Sequence, residues 1–157
     1  MKNDKIKPIM RNRKAFSLYT IIEHFEAGIV LVGTEVKSIR DSKIAFKDSY
    51  ARFYDNELFL EGFYIAPYEQ GNFFNHTPER KRKLLLTKKE LKRLKNKVEE
   101  KGFTIVPLSI YLKAGLVKVE IGLAQGKKLY DKREDIKKRD QQREMQRDLK
   151  ESLKKRY

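Results

Sequence analysis

Strand-like patterns dominate the first part of the chain. Residues 15–22 and 25–32 are rich in β-branched and aromatic side chains, which predicts two neighbouring strands. Gly28 lies inside the second run and indicates a bulge or a close backbone approach. The apolar spacing that follows fits a short helix from about Glu35 as well as a third strand, and periodicity alone leaves both open.

Two pairs of alternating segments further along the chain predict β-hairpins. In the first, residues 49–53 and 58–64 flank the turn-forming segment Asp55-Asn56-Glu57. In the second, residues 103–113 and 116–124 alternate around an Ala-Gly turn. One face of the last segment is wholly apolar and is predicted to lie in the core: Val117, Val119, Ile121 and Leu123.

A long loop and one well-marked helix are predicted between the hairpins. The loop covers residues 66–83, and the capping box formed by Thr87 and Glu90 predicts a helix over residues 88–101. The polar face of this helix is rich in lysine, which fits a solvated surface as well as an RNA contact. The lysines are Lys88, Lys89, Lys92, Lys95 and Lys97.

Short strands with connections too short for parallel crossovers predict a mostly β fold. We expect a small closed antiparallel barrel of the oligonucleotide-binding (OB) type over residues 15–130. A basic arm, residues 1–14, precedes the barrel, and a basic C-terminal tail, residues 131–157, follows it. Because the tail holds little apolar surface, we expect it to be disordered when free and helical when bound.

Positive charge is concentrated at the two ends of the chain. The net charge is +15 over 157 residues, of which residues 1–14 contribute +5 and residues 127–157 contribute +6. Solubility of a small domain needs a net charge of only about 2–8. The excess predicts a polyanionic partner, and nucleic acid is the one we expect.

Several kinds of chemistry lack the residues that they need. The chain has no cysteine, and His24 and His76 have no local metal-ligand partners. Residues 122–128 depart from the phosphate-loop pattern in glycine spacing and in the final residue. No apolar run is long enough to cross a bilayer, and the first residues do not form a signal peptide. We therefore expect an intracellular protein without a catalytic, metal or cofactor site.

Aromatic side chains beside basic ones favour RNA as the partner. Phe16 and Tyr130 lie next to basic residues, and Tyr68, Phe73 and Phe74 lead into the basic end of the loop. Bases stack on aromatic rings while lysine and arginine hold the phosphates. Burial in the core is an equally good prediction for Phe16, Phe73 and Phe74.

A set of distinctive strings is spread from about residue 8 to residue 148. The strings are Asn12-Arg13-Lys14-Ala15, residues 25–31, residues 33–40, Lys47-Asp48-Ser49-Tyr50, residues 67–72, Arg82-Lys83-Leu84-Leu85-Leu86, residues 118–124, residues 126–133 and Asp135-Ile136-Lys137. In their order and spacing, these strings resemble the SsrA-binding protein family, small protein B.

The resemblance implies an OB-type barrel with flanking helices that binds the tRNA-like domain of transfer-messenger RNA. It implies delivery of that RNA to stalled ribosomes in trans-translation, with the protein mimicking an anticodon arm at the small-subunit decoding centre. The tail would then lie as a helix in the empty mRNA channel. A cytoplasmic protein that is a monomer in the complex, is not an enzyme and needs no cofactor is implied as well.

The same resemblance assigns functional residues. The implied RNA-binding residues are Asn12, Arg13, Lys14, Glu26, Leu85, Lys118, Lys127 and Lys128. The implied ribosome-contacting residues of the tail are Asp131, Lys132, Arg133, Ile136, Lys138 and Arg139. Amide and carboxylate groups suit base edges and 2′-hydroxyls, lysines suit phosphates, and leucine shapes the surface. Departures from residues common in the family occur at Ser17, Gln125 and Gln141.

Two alternatives to this function are open. A generic basic barrel would bind RNA by charge alone, without preference for one RNA. A metal-dependent nuclease would use Glu26, Glu35 or Asp48, although nothing in their spacing brings them together. We expect Glu23, Glu26 and Glu35 to face solvent or RNA.

Overall fold

The computed structural model describes residues 5–70, 75–100 and 102–127, together with Arg143 and Arg147. The chain divides into two units, residues 1–126 and residues 127–157. In the second unit, Arg143 and Arg147 are helical and exposed. The described elements of the first unit are β1 (Ile6–Arg11), α1 (Arg13–Leu18), β2 (Tyr19–Ile29), α2 (Gly33–Arg40), β3 (Ile44–Ala45), β4 (Tyr50–Tyr54), β5 (Glu57–Glu61), β6 (Tyr64–Ile65), β7 (Arg82–Leu85), α3 (Lys88–Val98), β8 (Phe103–Lys113) and β9 (Leu116–Gly126).

Strands β8, β4, β5, β7, β2 and β9 pair in that order, and β9 pairs back to β8, so the sheet closes into a ring. Each of these pairings is antiparallel. β1 extends the sheet by pairing with the second half of β8, while β3 and β6 form a separate two-stranded sheet. The predicted fold class, a mostly β protein with a closed antiparallel sheet and flanking helices, is confirmed.

The inside of the ring holds the main hydrophobic core. Strands β5, β7, β8 and β9 all contribute fully buried side chains, and β2 adds Phe25 and Ala27. The apolar face predicted for β9 lies there, because Val119, Ile121 and Leu123 are buried and Val117 packs against them. The alternation of apolar and polar residues along β9 thus predicted its inward face correctly.

The strand predicted over residues 15–22 is wrong for residues 15–18, whereas residues 19–22 belong to a strand as predicted. Residues 13–18 form α1, because the side-chain oxygen of Asn12 caps the helix and accepts a hydrogen bond from the backbone nitrogen of Ala15 at 3.3 Å. The two predicted neighbouring strands are therefore one long strand, β2, which pairs with β9 and β7 instead of with itself. The bulge lies between Ile21 and Glu23, where the register with β9 shifts.

Other boundaries differ less. The segment left open near Glu35 is helix α2, both predicted hairpins are present, and α3 ends at Val98 instead of residue 101. The strands β1, β3 and β7 occur where the sequence predicted none. Part of the predicted basic arm forms β1, and the end of the predicted loop forms β7. Both pair with segments distant in the chain, so local patterns could not indicate them.

Glu35 does not face solvent or RNA as predicted, because its side chain is fully buried against the equally buried Arg82. The Arg82 Nε donates to one carboxylate oxygen, and Arg80 Nη2 donates to the other at 2.6 Å. Burial acts to raise the pKa of Glu35, but hydrogen bonds from Arg80, from the backbone N–H of Val32 and from Arg82 outweigh it and lower the pKa. Glu35 is therefore a buried anion with its own counterions.

Arg82 uses its remaining donors on backbone carbonyls, one just before β6 and two in the loop that precedes β7. Its Nη1 donates to the carbonyl of Phe63 at 2.8 Å, and its Nη2 donates to the carbonyl of Pro78 at 3.0 Å. The Glu35–Arg82 pair thus ties α2, β7 and the end of this loop into one structure.

Candidate nucleic-acid interface

A row of residues crosses four neighbouring strands on the outer face of the sheet. Tyr111 of β8 stands opposite Lys118 of β9, Lys118 opposite Gly28 of β2, and Gly28 opposite Leu85 of β7. Directly opposite residues project to the same side of a sheet. The register therefore places two of the predicted RNA-binding residues, Leu85 and Lys118, on either side of Gly28.

Gly28 has a steric role in this row. A Cβ atom at position 28 would lie 3.3 Å from the Cβ of Leu85, which is closer than ordinary contact. The missing side chain lets Leu85 lie across the strand, with half of its side-chain surface exposed. The close approach to the backbone that the sequence predicted at Gly28 is thus present. The group that approaches is the Leu85 side chain, and the bulge of β2 lies elsewhere.

Glu26 lies on the same face, two residues before Gly28. Its carboxylate accepts a hydrogen bond from the Tyr111 hydroxyl at 2.5 Å, and the Lys113 ammonium lies 3.3 Å from it. The hydrogen bond from Tyr111 is the main cause that lowers the pKa of Glu26, with further contributions from Lys113 and Lys118, while burial opposes them. Burial, followed by the contact with Glu26, raises the pKa of Tyr111.

We call this group of Glu26, Leu85, Tyr111, Lys113 and Lys118 the Glu26 face. It presents a held carboxylate, two ammonium groups, a phenol and an exposed apolar side chain. Such a mixture suits RNA, because phosphates need cations, base edges and 2′-hydroxyls need acceptors, and bases need apolar or aromatic surface.

Asn12 is buried and its polar groups are used within the protein. Its Nδ2 donates to the carbonyl of Pro107 at 2.7 Å, its Oδ1 caps α1, and its backbone N–H donates to the carbonyl of Leu108 at 2.8 Å. Arg13 is exposed on α1, and the Lys14 ammonium pairs with Asp48 at 2.5 Å. Asn12 therefore fixes the position of α1 and its two cations instead of offering its amide to solvent.

A groove of about 820 Å³ extends from β1 to the Glu26 face. Its lining includes Arg11, Phe16 and His24 together with Glu26 and Tyr111. The Arg11 guanidinium lies over the Phe16 ring, 4.3 Å from its centroid, so the aromatic and basic pair expected from the sequence is formed. An aromatic ring and an arginine plane in one groove form a surface on which a base can stack.

Comparison with known proteins matches this chain to one family. The family model described as SmpB protein matches residues 9–151. The chain belongs to the SmpB family. An SsrA-binding protein of Treponema denticola is 54% identical over 140 residues, which cover 89% of this chain and 91% of the relative. One from Alkaliphilus oremlandii is 58% identical over 134 residues, covering 85% and 86%.

A solved structure agrees with the SmpB family assignment. It is described as "tmRNA-SmpB: a journey to the center of the bacterial ribosome", and its chain is 58% identical with a TM-score of 0.65. The match covers 76% of this chain and 85% of that chain. The family resemblance drawn from the sequence strings is confirmed.

The predicted site residues of this SmpB family member fall into four groups. Glu26, Leu85 and Lys118 come together on the Glu26 face, whereas Asn12, Arg13 and Lys14 lie at α1. Lys127 is half-buried after β9. The others lie outside the described residues, so their placement stays a prediction: Lys128, Asp131, Lys132, Arg133, Ile136, Lys138 and Arg139.

Two members of the Glu26 face, Tyr111 and Lys113, were missed from the sequence. A usable signal existed for both. A two-residue turn at Ala114-Gly115 makes Lys113 pair with Leu116 and Tyr111 with Lys118, which is the observed register. Contact with Glu26 could not be inferred, because it depends on the pairing of β2 with β9.

The carboxylates of the nuclease alternative lie in three separate ion pairs. Glu26 contacts Lys113, Glu35 contacts Arg82 and Asp48 contacts Lys14. Within residues 5–70, 75–100 and 102–127, no group of three histidine, cysteine, aspartate or glutamate side chains is placed to hold a metal ion. No helix in that part of the chain is long and apolar enough to span a membrane.

Proposed function

We propose that this chain binds the tRNA-like domain of transfer-messenger RNA through the Glu26 face and α1, and carries that RNA to stalled ribosomes. The observation that carries the proposal is the meeting of Glu26, Leu85 and Lys118 around Gly28, which the strand register produces from three distant segments. Membership of the SmpB family and the names of its relatives support the same partner. The protein acts as a cytoplasmic binding factor and performs no catalysis.

The chemistry of the face favours recognition of one RNA shape over attraction by charge alone. Glu26 carries a negative charge in a strongly basic protein, and it is held in place by Tyr111 and Lys113. A carboxylate repels phosphates and rewards only a ligand that places a donor, such as a base amine or a 2′-hydroxyl, against it. Leu85 adds a contact that salt does not screen.

A binding titration at two salt concentrations tests the proposal against generic binding. The tRNA-like domain is compared with a tRNA of similar length. We expect tighter binding to the tRNA-like domain, with a preference that persists when salt is added. Equal affinities that fall together with salt would refute specific recognition and leave attraction by charge alone.

Replacement of Leu85 locates the interface. The Leu85→Ala variant is expected to lose preference for the tRNA-like domain, because it removes the exposed apolar side chain of the face. Val32→Ala is the matched control, since Val32 is 47% exposed and Leu85 is 50% exposed. Equal effects of the two changes would show that recognition lies elsewhere.

We further propose that residues 131–157 act on the ribosome and contribute little to RNA affinity. The sparse apolar content of this segment in the sequence supports a part that folds on contact with its target. Deletion of residues 131–157 is expected to leave affinity for the tRNA-like domain nearly unchanged and to abolish peptide tagging on stalled ribosomes. A large loss of RNA affinity in this truncation would contradict a separate role for the tail.

A further inference from the structure

A second groove, of about 550 Å³, lies between α3 and strand β7. Leucine side chains, among them Leu84 and Leu91, form its floor, and Lys88, Lys92 and Lys95 of α3 line its rim. Leu91 packs against the core, and the three lysines lie at positions i−3, i+1 and i+4 from it, so they share its side of the helix and line the groove. The sequence could not distinguish this arrangement from an ordinary solvated helix face.

The rim of this groove carries positive charge that the described residues leave largely without ion-pair partners. Lys88 and Lys92 are exposed and have no ion-pair partner among the residues that the structure describes. The Lys95 ammonium donates to the amide oxygen of Asn56 at 2.6 Å, which satisfies a hydrogen bond without neutralising the charge. Four lysines and one glutamate line the groove, so its electrostatic complement is an anion.

The groove is continuous with the Glu26 face. Leu85 lines the groove and is also the last member of the row that crosses from Tyr111 through Lys118 and Gly28. Lys88 and Lys92 lie one helical turn apart, about 6 Å along the axis of α3. A polyanion that passes over Leu85 therefore meets a line of cations on the far side.

We propose that this groove extends the RNA interface, with phosphates of the bound tRNA-like domain lying along Lys88 and Lys92. Leu85 then contacts the RNA strand between the Glu26 face and the groove. The proposal rests on the proposed function. It adds Lys88 and Lys92 to the RNA interface, and both lie outside the sequence strings on which the family resemblance was based. These contacts add affinity without adding discrimination, because phosphates carry no sequence information.

The test compares lysines of the same helix. The double variant Lys88→Gln/Lys92→Gln removes two rim charges, and Lys89→Gln removes an exposed charge that does not line the groove. Affinities for the tRNA-like domain and for a tRNA are measured from 0.05 to 0.2 M salt. Circular dichroism and the melting temperature check that each variant is folded.

We expect the double variant to bind the tRNA-like domain more weakly than the wild type. The slope of the logarithm of its binding constant against the logarithm of the salt concentration should be smaller in magnitude by about two. Between 0.05 and 0.2 M salt, the ratio of the wild-type binding constant to that of the double variant should then decrease about 10-fold. Lys89→Gln should match the wild type in slope and in affinity. Because the slope is read on both RNAs, the groove is tested whether or not the wild type prefers one of them.

The proposal for the groove and the proposed function would be refuted by different results. A wild-type protein that binds both RNAs equally contradicts the proposed function, whatever the variants do. A double variant whose slope and affinity equal those of Lys89→Gln overturns the groove as an RNA site. If that variant also loses ribosome rescue while keeping RNA affinity, the groove instead binds an acidic protein segment.

Discussion

Replacement of Glu35 by glutamine is expected to destabilise the protein strongly. The side chains of Glu35 and Arg82 are both fully buried, and Arg82 would keep its charge without the carboxylate that now binds it. Removing one partner of a buried pair costs about 3–5 kcal/mol. A domain of this size has a free energy of unfolding of about 5–15 kcal/mol, so Glu35→Gln removes a large share of it.

Urea denaturation followed by circular dichroism at pH 7 measures this effect. With a slope of about 2 kcal/mol per molar urea, the expected loss moves the midpoint down by about 2 M. Arg93→Gln is the control, because Arg93 pairs with Glu23 at 3.0 Å on the surface, and such pairs contribute about 1 kcal/mol or less. A loss below about 1 kcal/mol for Glu35→Gln would refute the view that the pair holds a buried charge.

The pH dependence supplies a second check on the same pair. The pKa of Glu35 is lowered by folding, so the stabilisation that its charge provides is complete above the ordinary carboxyl pKa of 4.5. It is lost as the pH falls through the lowered pKa of the folded state. The difference in stability between the wild type and Glu35→Gln should therefore be constant near neutral pH and decrease in acid. A difference that grows in acid would contradict the direction of the shift.

Three further predictions concern the interface. Asn12→Ala removes the α1 cap and a buried hydrogen bond, and should lower the free energy of unfolding by about 2 kcal/mol in urea titrations, whereas an unchanged midpoint would contradict the capping role. Tyr111→Phe removes the main cause of the lowered pKa of Glu26, so a carbon-13 carboxyl titration should show that pKa rising; an unmoved pKa would assign the shift elsewhere. Gly28→Ala forces Leu85 aside and should weaken binding to the tRNA-like domain more than it changes stability, and unaltered binding would show that Leu85 tolerates displacement.

Local signals in the sequence were sufficient for several elements. The Thr87 and Glu90 capping box predicted α3, and the turn at Ala114-Gly115 predicted the β8–β9 hairpin. The same kind of evidence failed for residues 15–18, whose β-prone composition is overridden by the Asn12 cap and by burial of Ala15. Propensity is weak where a cap and tertiary packing agree on another structure.

The candidate interface was predicted only as separate residues. Glu26, Leu85 and Lys118 came from a family resemblance, and no spacing in the chain indicates that they touch one surface. Their meeting depends on the pairing of β2 with both β7 and β9, which joins segments about 60 and 90 residues apart. The resemblance also assigned Asn12 to recognition, but its buried amide shows a structural use that the residue type alone does not reveal.

By itself, the sequence determined the β-rich class, the hairpins, the helix with its lysine face, the excess of positive charge and the family. These follow from periodicity, capping, turn chemistry, net charge and matched strings, all of which are local or additive along the chain. Only the tertiary structure decided that Glu35 is a buried anion, that three distant segments form the Glu26 face, and that Lys88 and Lys92 line a groove beside it. Such facts depend on long-range strand pairing and on which side chains lose their water, and both are properties of the packed molecule.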